Sequence, residues 1–552
     1  MGFNVNVIHG GRVNTVYSDT PIMGHEVLAL SDLGDIAREL VIAWRVNHIL
    51  RPMSWMVDDD ADVEFVNTSS FEGAEIYRST LIFLLVIACK RALGKDVAIK
   101  YSMSDSYYCE FPGAAAKEDE VATIRDEMIK IISAHLPIQM AILPSDKARR
   151  IFERQGNSDR ARLIQWTGID PTILYRCAGI YGYFGVPLAS TTGVLKTFDL
   201  NWHAPGLLLR FPSITASDVL PPLQIVPKLM DVFQEYSSWL GVLGLSTMDS
   251  LHERVAKGKS LELILISEAF HSEALSRISN HITERGSVRL VCLAGPSSSG
   301  KTTTSKRLAI QLQLKGKNPI ALALDNYYVN REHTPRDENG HYDFEALEAI
   351  DVNLINEHIN ALLAGEEVQL PRYDFATGTR KPGSKLRLDI NDILIIEGLH
   401  GLNDNLAYEI PSEDKCKVFI SPLTGVNLDM HNRIGTTDIR LLRRLVRDYR
   451  ARGHSPERTI LMWPSVIKGS HKHIFPYEEG ADLLFNSALV YEIAVLKGYA
   501  EPLLRAVYES SPAHGEASRL LSMLQFAPVI PSDNVPNLSI LREFIGGGCF
   551  ED

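Results

Sequence analysis

The stretch Gly295-Pro296-Ser297-Ser298-Ser299-Gly300-Lys301-Thr302 constrains this chain more than any other, because it satisfies G-x-x-x-x-G-K-[ST] in the context that pattern requires. An apolar run, Val288 to Ala294, precedes it, and a helical pattern starts near Lys301. Glycines let the backbone fold back so that successive N–H groups face an anion, and a helix N-terminus adds fixed partial positive charge. Lys301 is then placed to reach the outer phosphates of ATP, the Thr302 hydroxyl suits Mg²⁺, and Thr303 completes the ATP-binding stretch on the first helical turn.

At 552 residues the chain is too long for one hydrophobic core, so several domains are expected. Against 56 basic residues stand 68 acidic ones, a net charge of −12 that argues against a general surface for nucleic acid or anionic lipid. The longest apolar run, Leu81 to Cys89, ends at Lys90 and Arg91 and is about half of the roughly 20 residues a membrane span needs. It reads as a buried core helix, and no membrane partner is expected. The opening Met1-Gly2-Phe3-Asn4-Val5-Asn6 lacks a secretion signal layout, and the cysteines lie far apart without a C-x-x-C pair. A cytoplasmic, reducing setting follows as the expectation.

Short alternating segments up to Val66 suit a small α+β module over residues 1–68. A helical pattern over Tyr77–Leu93, a second over Lys117–Ser133, and strand-like pieces from Ile180 to Phe211 suggest a second α+β domain over 69–222, closed by Pro221-Pro222. Residues 223–285 read as two or three amphipathic helices, either a connector or a cover for the following domain. After Gly286 the runs 288–294, 319–324, 393–396, 417–420 and 481–485 are short enough for buried strands of a parallel sheet with helices between them. The predicted class is α/β: a doubly wound P-loop domain over 286–500, then a helical extension over 501–552.

A kinase needs a base for the acceptor hydroxyl and a carboxylate near the metal. Asp325 follows Ala321-Leu322-Ala323-Leu324 and Glu397 follows Ile393-Leu394-Ile395-Ile396, so both are expected at the carboxyl edge of the sheet, where ligands of open α/β folds bind. Arg440, Arg443, Arg444 and Arg447 share one helix face, which is either a solvated surface or a phosphate-handling lid with Arg450 and Arg452 beyond it. His471 and His473 read as loop residues.

Over roughly 288–490 these residues resemble the phosphoribulokinase/uridine kinase family. The likeness is carried by the P-loop, Asp325-Asn326-Tyr327-Tyr328, Tyr342-Asp343-Phe344-Glu345, Pro371-Arg372-Tyr373-Asp374-Phe375, Ile396-Glu397-Gly398 and Arg443-Arg444-Leu445-Val446-Arg447-Asp448. The resemblance implies Asp325 as general base beside Lys301, Glu397 with Thr302 near Mg²⁺, and Arg447 and Arg452 as lid arginines on ATP. It also implies Glu345 and Arg444 at an acceptor ribose and Tyr373 beside its base. The histidine that uridine kinases place five residues after that tyrosine is Gly378 here.

The first half resembles modules of threonyl-tRNA synthetases, a TGS-like β-grasp unit and the second additional domain, through Tyr77-Arg78-Ser79, Gly185-Val186-Pro187 and Ser190 to Leu200. Of the H-x-x-x-H and C-x-x-x-H ligand sets of that pattern, Arg78, Ile82 and Tyr181 replace three, leaving Cys177. Neither zinc nor hydrolytic editing is therefore expected. The function implied is phosphate transfer from ATP to a nucleoside 5′-hydroxyl. The alternatives are another small hydroxyl acceptor, or an ATP-switched protein that binds RNA or tRNA, against which the net charge weighs. A homo-oligomer is left open.

Overall fold

The computed structural model describes residues 2–550 other than 32–39, 214–217, 337–339 and 341. In β1 (Phe3–His9) the alternating sequence buries Phe3, Val5 and Val7 on one side. This strand pairs antiparallel with β2 (Arg12–Ser18), which follows α1 (Gly24–Leu30) in space on the same core through Val27. With β3 (Val41–Val46), β4 (Ile49–Pro52) and β5 (Ala61–Asn67) the sheet order is β2-β1-β5-β3-β4, and β1 and β5 run parallel.

The core helix expected from Tyr77 begins earlier, because the Ser70 hydroxyl accepts from the Gly73 N–H at 3.1 Å and caps α2 (Phe71–Leu93). Around α2 lie β6 (Ala98–Met103), β7 (Ser106–Glu110), α3 (Glu118–Ser133), β8 (Gln139–Leu143), α4 (Ser145–Arg154) and α5 (Ser158–Thr167). The set is completed by β9 (Thr172–Cys177), β10 (Ile180–Gly182), β11 (Asp199–His203) and β12 (Gly206–Arg210). These strands form a four-stranded sheet β11-β12-β7-β6 and a three-stranded sheet β8-β9-β10. No helix among the described residues is long and apolar enough to cross a membrane.

Three helices follow, α6 (Pro227–Leu243), α7 (Met248–Ala256) and α8 (Ser260–Glu284). Next come β13 (Leu290–Ala294), α9 (Lys301–Gln313), β14 (Asn318–Ala323), α10 (Val352–Leu363), β15 (Val368–Asp374), β16 (Thr379–Leu386), β17 (Asp392–Gly398) and β18 (Lys415–Ser421). The chain then runs through α11 (Thr436–Arg452), α12 (Pro456–His473), β19 (Leu483–Asn486), α13 (Glu492–Arg505), α14 (His514–Leu524) and the short α15 (Arg542–Ile545). Strands β14-β17-β13-β18-β19 make one parallel sheet. Its central strand β13 is buried on both faces: Leu290 and Cys292 meet Ile355 and Ile359 of α10, while Val291 and Leu293 meet Leu263, Ile264 and Ile278 of α8. Helices on both sides make the sheet doubly wound, and α8 covers it. At the edge, β14 leaves Asn318 and Ala321 exposed.

The loop between β18 and α11 is held by the first half of the chain. Arg160 of α5 meets Asp429 through Nη2 at 2.5 Å and Nε at 3.1 Å, with side chains only 4% and 2% exposed. Ile99 donates its N–H to the Met430 carbonyl at 2.8 Å and accepts from Asn427 Nδ2 at 3.0 Å. Breaking such a buried pair on one side leaves an uncompensated charge, so Asp429→Ala should destabilise the chain by about 3–5 kcal/mol. The double change Arg160→Met with Asp429→Leu removes the stranded charge but also the acceptor of the His431 and Asn432 N–H groups, at 2.8 and 3.0 Å, so it should recover only part of that loss. Urea midpoints of the whole chain, compared across the three proteins, check this.

Candidate active site

The loop Gly295–Thr302 joins β13 to α9, with Gly300 in the left-handed region at φ 88 immediately before the helix. Its backbone is gripped from α11. Arg440 Nε donates to the Ser297 carbonyl at 2.9 Å, and Arg444 Nη1 donates to the Ser297 hydroxyl at 2.9 Å. Arg443 reaches the Ser298 and Ser299 carbonyls, each at 3.4 Å, and its Nη2 donates to the Ser487 carbonyl at 2.8 Å. The charge of Arg443 is answered by Glu492 of α13 at 2.6 Å, with the two side chains 0% and 3% exposed. Ser298 itself sits at φ 62, a costly region for a residue with a side chain, and the arginine contacts hold it there.

The arginine face expected to be either solvent-covered or a lid is thus divided along its length. Arg440 and Arg443 are fully buried, and burial pulls the Arg440 guanidinium down to about 9. Toward the end of α11, Asp448 gathers Arg444 at 3.3 Å, Arg447 at 2.8 Å and Arg452 at 3.5 Å. Burial would raise the Asp448 carboxyl, yet Arg447, Arg452 and Arg444 keep it below the usual carboxylate range. His471 and His473 close the last turn of α12 instead of lying in a loop. The helix continues that far because Val466, Ile467 and Ser470 are buried, and Arg440 Nη2 donates to Ser470 Oγ at 3.0 Å.

Lys301 folds back, donating from Nζ to the Pro296 carbonyl at 3.2 Å. Burial lowers its ammonium, opposed by Glu397, Asp325, Glu543 and Glu345, so these carboxylates all face one cation. Glu397 ends β17 and accepts from Thr302 Oγ1 at 3.2 Å; burial, with Asp325 beside it, pushes its carboxyl up to about 7. Asp325 stands in the turn after β14, its side chain reached by solvent but with many protein atoms around it. That enclosure raises it against the pull of Lys301, Arg452 and Arg447. Thr302 and Glu397 are hard oxygen donors side by side, and that donor set fits Mg²⁺.

Near Asp325 stand Glu345, whose Oε2 is buried without a hydrogen-bond partner, and Tyr373, whose hydroxyl is also buried and unpaired. Burial raises the Glu345 carboxyl despite Arg444 and Arg440 nearby. Tyr373 packs against Tyr328 at 5.5 Å and Phe375 at 5.0 Å between ring centroids. Gly378, at φ 71, leaves space that the Arg331 side chain fills: a Cβ there would stand 2.7 Å from its Nε. Arg331 is held in place by donating to the Phe375 carbonyl at 2.8 Å.

Of the residues expected from sequence, the structure brings Thr302 to Glu397 and Arg444 to Ser297 of the loop. Sequence reasoning missed Glu492, Arg331 and Glu543. A lone acid in the apolar stretch Ala488–Leu496 was a usable signal for Glu492, since an unpaired buried carboxylate is not tolerated. The other two contacts carry no local signal. Glu492→Ala strands the Arg443 charge and should cost about 3–5 kcal/mol. Arg443→Lys should restore little of the wild-type stability, because one ammonium cannot span Glu492, Ser487 and the loop carbonyls. Thermal unfolding midpoints of these variants are the check.

The family model described as "Phosphoribulokinase / Uridine kinase family" matches residues 290–494. A uridine kinase of Halobacterium salinarum is 28% identical over 194 residues, spanning 35% of this chain and 77% of that protein. A uridine kinase of Chloroflexus aurantiacus is 30% identical over 199 residues, spanning 36% of this chain and 85% of that protein. Among solved structures, the phosphoribulokinase from Rhodobacter spheroides overlaps 36% of this chain and 69% of its own, at 14% identity and a TM-score of 0.26, too low to add to the sequence match.

Proposed function

This chain belongs to the phosphoribulokinase/uridine kinase family through residues 290–494, and from that premise we propose that it transfers the γ-phosphate of ATP to the 5′-hydroxyl of a nucleoside of the uridine or cytidine kind. Membership carries small-molecule kinase chemistry in general; the nucleoside is the finer reading. The observation that supports it most is the Gly295–Thr302 loop between β13 and α9 with the Thr302 hydroxyl donating to Glu397 at 3.2 Å.

In this reading the amides of Gly295–Thr303 and the Lys301 ammonium bind the phosphates, while Arg447 and Arg452 close over them. Thr302 and Glu397 would hold Mg²⁺, which when bound neutralises charge on the phosphates. Glu345 and Tyr373, with Arg444 behind them, orient the acceptor so that its hydroxyl meets Asp325. Asp325 then takes the hydroxyl proton onto its carboxylate as the new phosphate ester bond forms and the bond from the γ-phosphorus to the bridging oxygen breaks, releasing ADP. A carboxyl whose pKa is raised is a stronger base than an ordinary one. For the first half we keep the reading of a TGS-like β-grasp module over 1–68 and a synthetase-like second domain over 69–222. It is supported by the order β2-β1-β5-β3-β4 with its parallel central pair. Ile82 and Cys177 are buried apolar neighbours there, and Arg78 lies over the Phe211 ring at 4.7 Å.

The test is a panel of nucleosides and other small alcohols assayed for ATP-dependent product. Pyrimidine ribonucleosides should be turned over with loose base selection, because Gly378 offers no side-chain hydrogen bond. A sharp preference for uridine would contradict the loose selection, and no turnover of any nucleoside would reject the acceptor class. With the best acceptor, Asp325→Asn should lower kcat by about 10²- to 10⁴-fold while leaving ATP affinity intact. Lys301→Ala should weaken both. Near-normal kcat in Asp325→Asn would move the base to Glu345.

A further inference from the structure

The carboxylate of Glu543 sits on the nucleotide loop. Its Oε2 accepts from the Thr303 backbone N–H at 3.1 Å and from the Thr303 hydroxyl at 2.9 Å. Thr303 is the third residue of α9, so its N–H is one of the free donors at a helix start. Those donors, together with the loop amides, are what a phosphate chain uses.

The contact comes from a segment more than 200 residues away in sequence, and it is anchored firmly. Ile540, Leu541 and Phe544 are fully buried, and Ile540 Cγ2 lies 2.5 Å from where a Cβ on Gly300 would stand. Arg443, the residue that grips the loop from beneath, lies against the Phe544 ring at 5.0 Å. Arg450 of α11 donates to the Glu543 and Phe544 carbonyls, each at 3.2 Å. Glu543 itself is only partly buried, so its side chain can leave Thr303 while the segment that carries it stays in place.

Resting on the reading of this site as a nucleotide site, we propose that Glu543 is a built-in competitor of ATP, its carboxylate standing in for the phosphate that the Thr303 donors would otherwise bind. A carboxylate and a phosphate oxygen are both anions and both acceptors, so the same pair of donors serves one or the other. Nucleotide binding therefore requires Glu543 to rotate away, and apparent affinity falls by the fraction of molecules in which Thr303 is free. The device raises the ATP concentration at which the site fills. It also couples the C-terminal extension to the site, since anything that draws α15 off α11 carries the competing charge with it.

The experiment is calorimetric titration of the whole chain with a non-hydrolysable ATP analogue and Mg²⁺, without acceptor, for wild type, Glu543→Ala, Glu543→Gln and Glu543→Asp. Glu543→Ala should bind on the order of tenfold more tightly than wild type. Glu543→Gln, which loses the charge but keeps the reach, and Glu543→Asp, which keeps the charge but is one methylene shorter, should fall between them. The two conservative variants keep the test decisive if the alanine protein does not fold. Equal or weaker binding in the variants overturns the proposal and makes Glu543 a cap of α9 that coexists with nucleotide. If neither wild type nor variants bind the analogue, the nucleotide reading fails and this proposal with it. The acceptor takes no part, so an error about the acceptor leaves the result unaffected.

Discussion

Arg443 is the centre on which the second half of the chain is arranged. A guanidinium removed entirely from water is tolerated only with a counter-charge and with its N–H groups occupied. Here Glu492 supplies the charge, and the Ser298, Ser299 and Ser487 carbonyls fill the fork. Those partners come from the nucleotide loop, from the end of β19 and from the start of α13, so one side chain ties together three segments distant in sequence. An arginine suits the task because its planar fork presents several donors in fixed directions at once.

The same arrangement explains why the loop keeps its shape. Its backbone amides must point outward, toward an anion, which turns its carbonyls inward. Carbonyls turned inward need donors, and Arg440 and Arg443 are those donors. The helix therefore carries two different sets of arginines: the first turns support the floor of the site, and the last turns are gathered by Asp448. The floor is enclosed, whereas Arg452 is half exposed.

Much of this could be read from the residues alone, where the pattern was local. Short apolar runs marked the five parallel strands, the glycines and Lys301 marked the loop, and the acids after two strands marked Asp325 and Glu397. Helical spacing also showed correctly that Arg440, Arg443 and Arg444 share a face with Arg447. It could not show what lies against that face, because the nucleotide loop that covers it is some 140 residues earlier in the chain. Contacts of that range leave no periodic trace. The same holds for Glu543 on Thr303 and for Arg331 beside Gly378, where each residue alone is an ordinary charged side chain. The start of α2 was missed for a different reason: the residues before Tyr77 include Gly73, which weakens the helical pattern, while the cap at Ser70 secures it.

The grip of the first half on the β18–α11 loop has a consequence for how such a chain could have arisen. Two genes fused end to end yield neighbours that can later be parted, since each keeps a finished surface. Here Ile99 exchanges hydrogen bonds with Asn427 and Met430 and Arg160 is sealed against Asp429, so neither half retains a finished surface at this seam. A lineage that lost the first half would expose a carboxylate and a set of backbone groups shaped for a partner, directly ahead of the helix that carries Arg443. Loss would need compensating replacements in that loop before the remainder could stand alone.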